Sequence, residues 1–242
     1  MHIGGINERG DKYAETMCIM INKKVICVLL ILCLTVAAVA VPVGVTVAKT
    51  EVKTIVIDPG HGGMDSGVSS AGGVKESDLV LTLSRMVADY LESGGFKVVL
   101  TRKNKSALTD GKFIKKTDMQ KRLKIIERAE PSLVISLHLN SFTDKSRRGM
   151  QVFYGKDDSK DFAKEMQSVL NDEFNLPDVK RDFSALYADK YILTESPCSA
   201  VIIECGFLSN PIDTQNLLDE KYLHRLAYTI FQGIAVWWDR GE

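Results

Sequence analysis

The sequence predicts an α/β fold: a single domain with a twisted, mostly parallel sheet flanked by helices and its functional site at the C-terminal edge of the strands. Two observations point to it. Short apolar runs alternate with segments of helical periodicity from Thr54 onward, the pattern of layered α/β proteins. Polar or glycine-rich blocks then follow several runs directly, where parallel sheets place their sites.

Thr54-Ile55-Val56-Ile57 is a short apolar run ended by Asp58-Pro59-Gly60, so it reads as a buried strand followed by a glycine-rich loop reaching Gly73. Glu76 opens a helix in which Leu79, Leu83, Met86, Val87, Tyr90 and Leu91 recur at helical spacing, and Gly94-Gly95 ends it. Phe96 to Thr101 is the next strand, and Met119 to Ala129 a charged amphipathic helix stopped by Pro131. Leu133 to Leu137 and Met150 to Tyr154 read as strands, and Phe162 to Phe174 as a helix. Tyr191 to Leu193 reads as a short strand, Ala200 to Ile203 as a buried strand, and Tyr222 to Trp238 as a long helix.

The 31 basic and 31 acidic residues balance, which gives no reason to expect a nucleic-acid partner. Residues 1–24 are polar and unpatterned, while residues 25–48 carry no charge and follow Lys23-Lys24. About 20 apolar residues span a bilayer, so residues 25–48 fit a membrane anchor. Ala38-Val39-Ala40 equally fits a cleavage site, which would make the segment a signal peptide. Both readings place residues 49–242, the remaining domain, outside the cytoplasmic membrane. Met17 and Met20 are alternative starts that would give a leader of more usual length. Cys198 and Cys205 flank a predicted strand that holds them ~20 Å apart, beyond the ~7 Å a disulfide allows, so two free thiols are expected.

The domain has three histidines, and His61 and His138 each follow a predicted strand. Parallel neighbours would bring those strand ends to one edge, where two imidazoles can converge on a metal. Singly, His61 reads as a turn residue and His138 as a satisfied buried one; their flanking blocks, Asp58-Pro59-Gly60-His61-Gly62-Gly63 and Ser136-Leu137-His138-Leu139-Asn140-Ser141, favour a cleft rim. His224, in the C-terminal helix, reads as packing or surface. A further ligand would be a carboxylate or a thiolate. Glu76 sits where acidic residues also suit a helix N-terminus. Glu204 ends an otherwise apolar strand, an expensive place for a carboxylate without a partner, a metal or a proton. Asp58 and Asp65 are explained by turn chemistry.

Four ordered blocks carry a resemblance: Ile57 to Gly63, Lys75-Glu76-Ser77, Ser136 to Asn140, and Ile203 to Asn210. From about Val52 to the C-terminus the chain resembles the N-acetylmuramoyl-L-alanine amidases of the amidase-3 type, and within them the germination-specific, sporulation-associated enzymes. The resemblance implies one Zn2+ per chain held by His61, Glu76 and His138, with Glu204 as the catalytic carboxylate. It implies that Asn140 is a polar residue beside the site that binds substrate. The implied reaction is hydrolysis of the bond between the muramic lactyl group and L-alanine in peptidoglycan, in the forespore cortex space, where it precedes muramic δ-lactam formation. Partners on this reading are peptidoglycan, the membrane if the leader is retained, and a regulatory or activator protein. No autoinhibitory helical insertion is evident between Tyr154 and Ala200, and Glu127 stands where relatives often carry Asn. A non-hydrolytic peptidoglycan-binding module and a zinc peptidase acting elsewhere in the stem are the alternatives.

Overall fold

A computed structural model describes residues 23, 26–28, 31, 52–109 and 112–241. The apolar leader over 25–48, with the polar segment before it, lies almost wholly outside the described residues. Among the described residues no helix is long and apolar enough to cross a membrane.

Residues 52–242 form one compact unit. Strand β1 (Thr54–Pro59) is followed by helix α1 (Glu76–Ser93), β2 (Lys97–Leu100), α2 (Lys115–Ala129) and β3 (Leu133–Asn140). Then come β4 (Gln151–Tyr154), α3 (Lys160–Leu170), β5 (Leu186–Tyr187), α4 (Tyr191–Glu195), β6 (Ser199–Phe207), α5 (Pro211–Leu218) and α6 (Glu220–Asp239). The six strands form one sheet in the order β2-β1-β3-β6-β4-β5. Neighbours are parallel except that β4 runs antiparallel to β6. The predicted α/β class and its mostly parallel sheet are what the chain adopts.

Side chains alternate across a strand, and here the alternation sorts chemistry from packing. Ile55, Ile57, Leu133, Ile135, Leu137, Val201, Ile203 and Cys205 face the larger core, shared with α1, α3 and α6. Val56, Val134, Ala200 and Ile202 face a smaller core with Ile126 of α2 and Ile192 and Leu193 of α4. Continuing that second face towards the strand C-termini brings up Asp58, Ser136, His138 and Glu204. Asp58 pairs with Ser136 across β1 and β3, and His138 with Glu204 across β3 and β6.

Three expectations need correction. His138 and Glu204 lie within strands rather than just past or at their ends, because pairing runs on to Asn140 and Phe207. An apolar run marks where a strand is buried, whereas its length is set by backbone pairing. Tyr191 to Leu193 is the start of a helix, not a strand. Ile192 and Leu193 are both buried, which period-two alternation does not allow, and the Lys190 carbonyl accepts from Leu193 and Thr194 N–H. Edge pairing with β4 goes instead to Leu186 and Tyr187. Helix α2 also begins four residues earlier than its amphipathic pattern, at Lys115.

Helix α5 was legible and is absent from the sequence reading. Asn210 caps it by accepting from Ile212 and Asp213 N–H, and Pro211 occupies its first turn. Cys198 and Cys205 are both free, as expected from their spacing.

Candidate metal centre and active site

His61, Glu76 and His138 converge, although they come from a loop, a helix start and a strand. Their nearest ligand atoms all lie within 4.8 Å of one another. Glu76 Oε1 stands 3.2 Å from His61 Nε2 and 3.0 Å from His138 Nδ1. Donors ~2.0–2.2 Å from a tetrahedral zinc would stand ~3.4 Å apart, so two imidazole nitrogens and one carboxylate oxygen at this spacing fit zinc.

The surroundings hold each donor in place. Glu76 is 1% exposed; its Oε1 accepts from Leu139 N–H at 3.0 Å and its Oε2 from Val68 N–H at 2.9 Å. Burial opposes ionisation of Glu76, but hydrogen bonds from His138 and His61 outweigh it and keep the carboxyl well below its usual range. Asp65 Oδ2 lies 2.9 Å from His61 Nδ1. Burial lowers the His61 pKa, and Glu76 and Asp65 together more than reverse that.

The loop reaches this geometry through unusual backbone. His61 has φ 59°, a left-handed conformation rare for a residue with a side chain. Two glycines make room. A Cβ on Gly60 would meet the His138 ring at 2.4 Å, and one on Gly67 would meet Glu76 Oε2 at 2.3 Å.

Two buried arginines, which the sequence reading passed over, brace the turn. Arg102 donates to the carbonyls of Pro59 at 3.0 Å and Gly60 at 2.7 Å. Arg122 donates to the carbonyls of Pro59 and His61. Arg122 also pairs with Asp58 at 2.7 Å and Asp118 at 2.8 Å. Burial alone would raise the Asp58 pKa; the Arg122 charge, with hydrogen bonds from Thr101 and Ser136, brings it below its usual value. Asp58 is therefore the centre of a buried ion-pair network, not a turn residue. Arg102 falls to about 10 through burial and the neighbouring Arg122. In sequence neither arginine differs from the charged residues around it.

Glu204 faces the same cleft from β6, opposite His138 in register. Its Oε2 is buried without a hydrogen-bond partner. Burial is the main reason its pKa is pushed up to about 7, with Glu76 adding to it. The cleft has a volume of about 300 Å³ and is lined by His61, His138 and Glu204, with Phe113, Met119 and Tyr191 on its apolar side.

Asn140 lies at the end of β3, where its side-chain oxygen accepts from Ser141 N–H at 2.8 Å; it does not line that cleft. His224 stays apart from the site: its Nδ1 meets the Tyr90 hydroxyl at 3.2 Å on the outer face of α6.

The sequence profile of the N-acetylmuramoyl-L-alanine amidase family matches residues 55–236. The germination-specific N-acetylmuramoyl-L-alanine amidase of Bacillus subtilis is 35% identical over 189 residues, covering 75% of this chain and 78% of that protein. Among solved structures, the CwlD amidase from Clostridioides difficile, in complex with the GerS lipoprotein, is 32% identical with a TM-score of 0.71. That match covers 77% of this chain and 98% of the other. The N-acetylmuramoyl-L-alanine amidase AmiC2 of Nostoc punctiforme is 28% identical with a TM-score of 0.67, over 77% of this chain and 97% of its own.

Proposed function

This chain belongs to the N-acetylmuramoyl-L-alanine amidase family, and from that premise we propose that it is a zinc enzyme of the spore cortex. Peptidoglycan is its substrate, and the bond cut is the amide between the muramic lactyl group and L-alanine. The observation that carries this reading is the convergence of His61, Glu76 and His138 on one cleft with Glu204, whose Oε2 has no partner of its own.

His61 Nε2, a Glu76 oxygen and His138 Nδ1 would hold one zinc. Bound there, the ion would supply a Lewis acid that acidifies water and polarises the scissile carbonyl. Glu204 does the proton work. Its free Oε2 accepts a proton from the attacking water and delivers it to the departing alanine nitrogen. A carboxyl that burial brings to about 7 can both take and return that proton near neutral pH. The His138–Glu204 pairing across β3 and β6 keeps this carboxylate beside the ligands while leaving it free for the proton. Asn140, at the same sheet edge, is a polar contact for substrate beyond the cleft.

The similarity to a germination-specific amidase supports the cortex assignment. Residues 25–48 then act as the signal peptide or anchor that brings residues 49–242 outside the cytoplasmic membrane. The structurally similar CwlD amidase is in complex with a lipoprotein, which supports a protein partner of that kind here. Mass analysis of digested cortex muropeptides tests the activity. Free stems with intact glycan are expected, while shortened stems would identify a peptidase and unaltered material a binding module. Chelation should stop release, and added zinc should restore it.

A further inference from the structure

The cleft beside Glu204 contains charges of two kinds. Asp58 and Asp118 both pair with Arg122, and Asp65 stands on His61. Lys115 and Lys190 line the same cleft and take no part in any ion pair or side-chain hydrogen bond among the described residues. Lys190 is also fixed at its backbone. Its N–H bonds the Ala188 carbonyl at 3.0 Å, and its own carbonyl starts helix α4 by accepting from Leu193 at 2.8 Å and Thr194 at 3.0 Å. Its ammonium is near enough to Glu204 to favour the ionised carboxylate. Phe113, Met119, Tyr191, Ile192 and Ile202 supply apolar wall between these groups.

A concave apolar surface with two unpaired ammonium groups selects a small apolar group attached to an anion. On the amidase reading, on which this inference rests, the leaving part of the substrate has that order. L-Alanine presents a methyl group. The next residue, D-glutamate joined through its γ-carboxyl, presents a free α-carboxylate about one Cα step of ~3.8 Å further on. We infer that Lys190, assisted by Lys115, binds that α-carboxylate and makes the enzyme selective for stems whose second residue is D-glutamate rather than its α-amide.

The test uses the zinc-loaded full chain and two disaccharide–tripeptide fragments that differ only in α-carboxylate or α-carboxamide at the second residue. The acid should be preferred by about tenfold in kcat/KM, equivalent to about 1.4 kcal/mol. The preference should lie in KM and shrink as salt is raised. Lys190→Gln should reduce the ratio to below about twofold, Lys190→Arg should retain most of it, and Lys115→Gln should give an intermediate value. Equal hydrolysis of both fragments by the unaltered enzyme would overturn the lysine assignment and leave the amidase reading standing. An unchanged ratio in Lys190→Gln would do the same. If neither fragment releases its stem, the amidase reading falls, and the inference falls with it.

Discussion

Replacing Gly67 with alanine probes how closely the glycine-rich loop is fitted to the proposed metal ligands. Gly67 has φ +65°, and a Cβ there would lie 2.3 Å from Glu76 Oε2 and 2.7 Å from His61 Cδ2. The left-handed backbone costs a side chain ~1–2 kcal/mol. The contact adds to this because Glu76 cannot swing clear: both its oxygens already accept backbone N–H groups. Gly73, in the same loop, has φ +79° with nothing within 4 Å of an added Cβ. Gly73→Ala therefore carries the same backbone cost without the collision. Gly73→Ala should lose ~1–2 kcal/mol in denaturant unfolding of the chelator-stripped protein, and Gly67→Ala should lose more than that. Only Gly67→Ala should weaken zinc binding, by ~10–100-fold, the range for disturbed groups behind the ligands. Competition against a chromophoric zinc chelator measures the affinity. Equal zinc affinity in the two variants would refute the claim that Gly67 is needed for the ligands to approach.

Glu204→Gln should keep zinc content and stem binding while slowing turnover ~10²–10⁴-fold; loss of zinc, followed by metal analysis, would instead make it a ligand. Arg122→Met should destabilise the chain by ~3–5 kcal/mol in urea unfolding, because it strands Asp58 and Asp118 as buried, uncompensated carboxylates. The third concerns acid. The Asp58 pKa is lower in the folded chain than its ordinary 3.8, so its contribution to stability is present above about that pH and lost as pH falls towards the folded value. Chelator-stripped protein should therefore show a falling urea midpoint below about pH 4, and Asp58→Asn should flatten that fall.

The sheet and most helices were legible because buried strands and amphipathic helices leave their period in the sequence. Boundaries were less so. Lys115 to Asp118 add a polar first turn to α2 that no apolar stripe marks, and β3 and β6 continue past their apolar runs through pairing alone. Glu204 could be singled out because a carboxylate is costly at the end of an apolar strand, whereas His61, Glu76 and His138, each ordinary taken singly, stood out through their flanking blocks and the family resemblance those blocks carry. Arg102 and Arg122 could not, since a buried arginine looks like a solvated one until its acceptors are known. Asp58 was visible but misread, because Asp-Pro-Gly is also common turn chemistry. The juxtaposition of Lys115 and Lys190 along the cleft depends on α2 and α4 being brought together, which no local pattern encodes.

The alternation along β6 has a consequence for how the chain must fold. Glu204 points to the ligands and Cys205 to the large core. A slip of one residue would exchange them, burying a carboxylate among aliphatic side chains and presenting a thiol to the histidines. Thiolate is a strong zinc ligand, so metal meeting such a misaligned chain would stabilise the error. Correct β6 alignment against both β3 and β4 should therefore come before metallation, and refolding in a chelator with zinc added last should recover more active protein than refolding in zinc from the start.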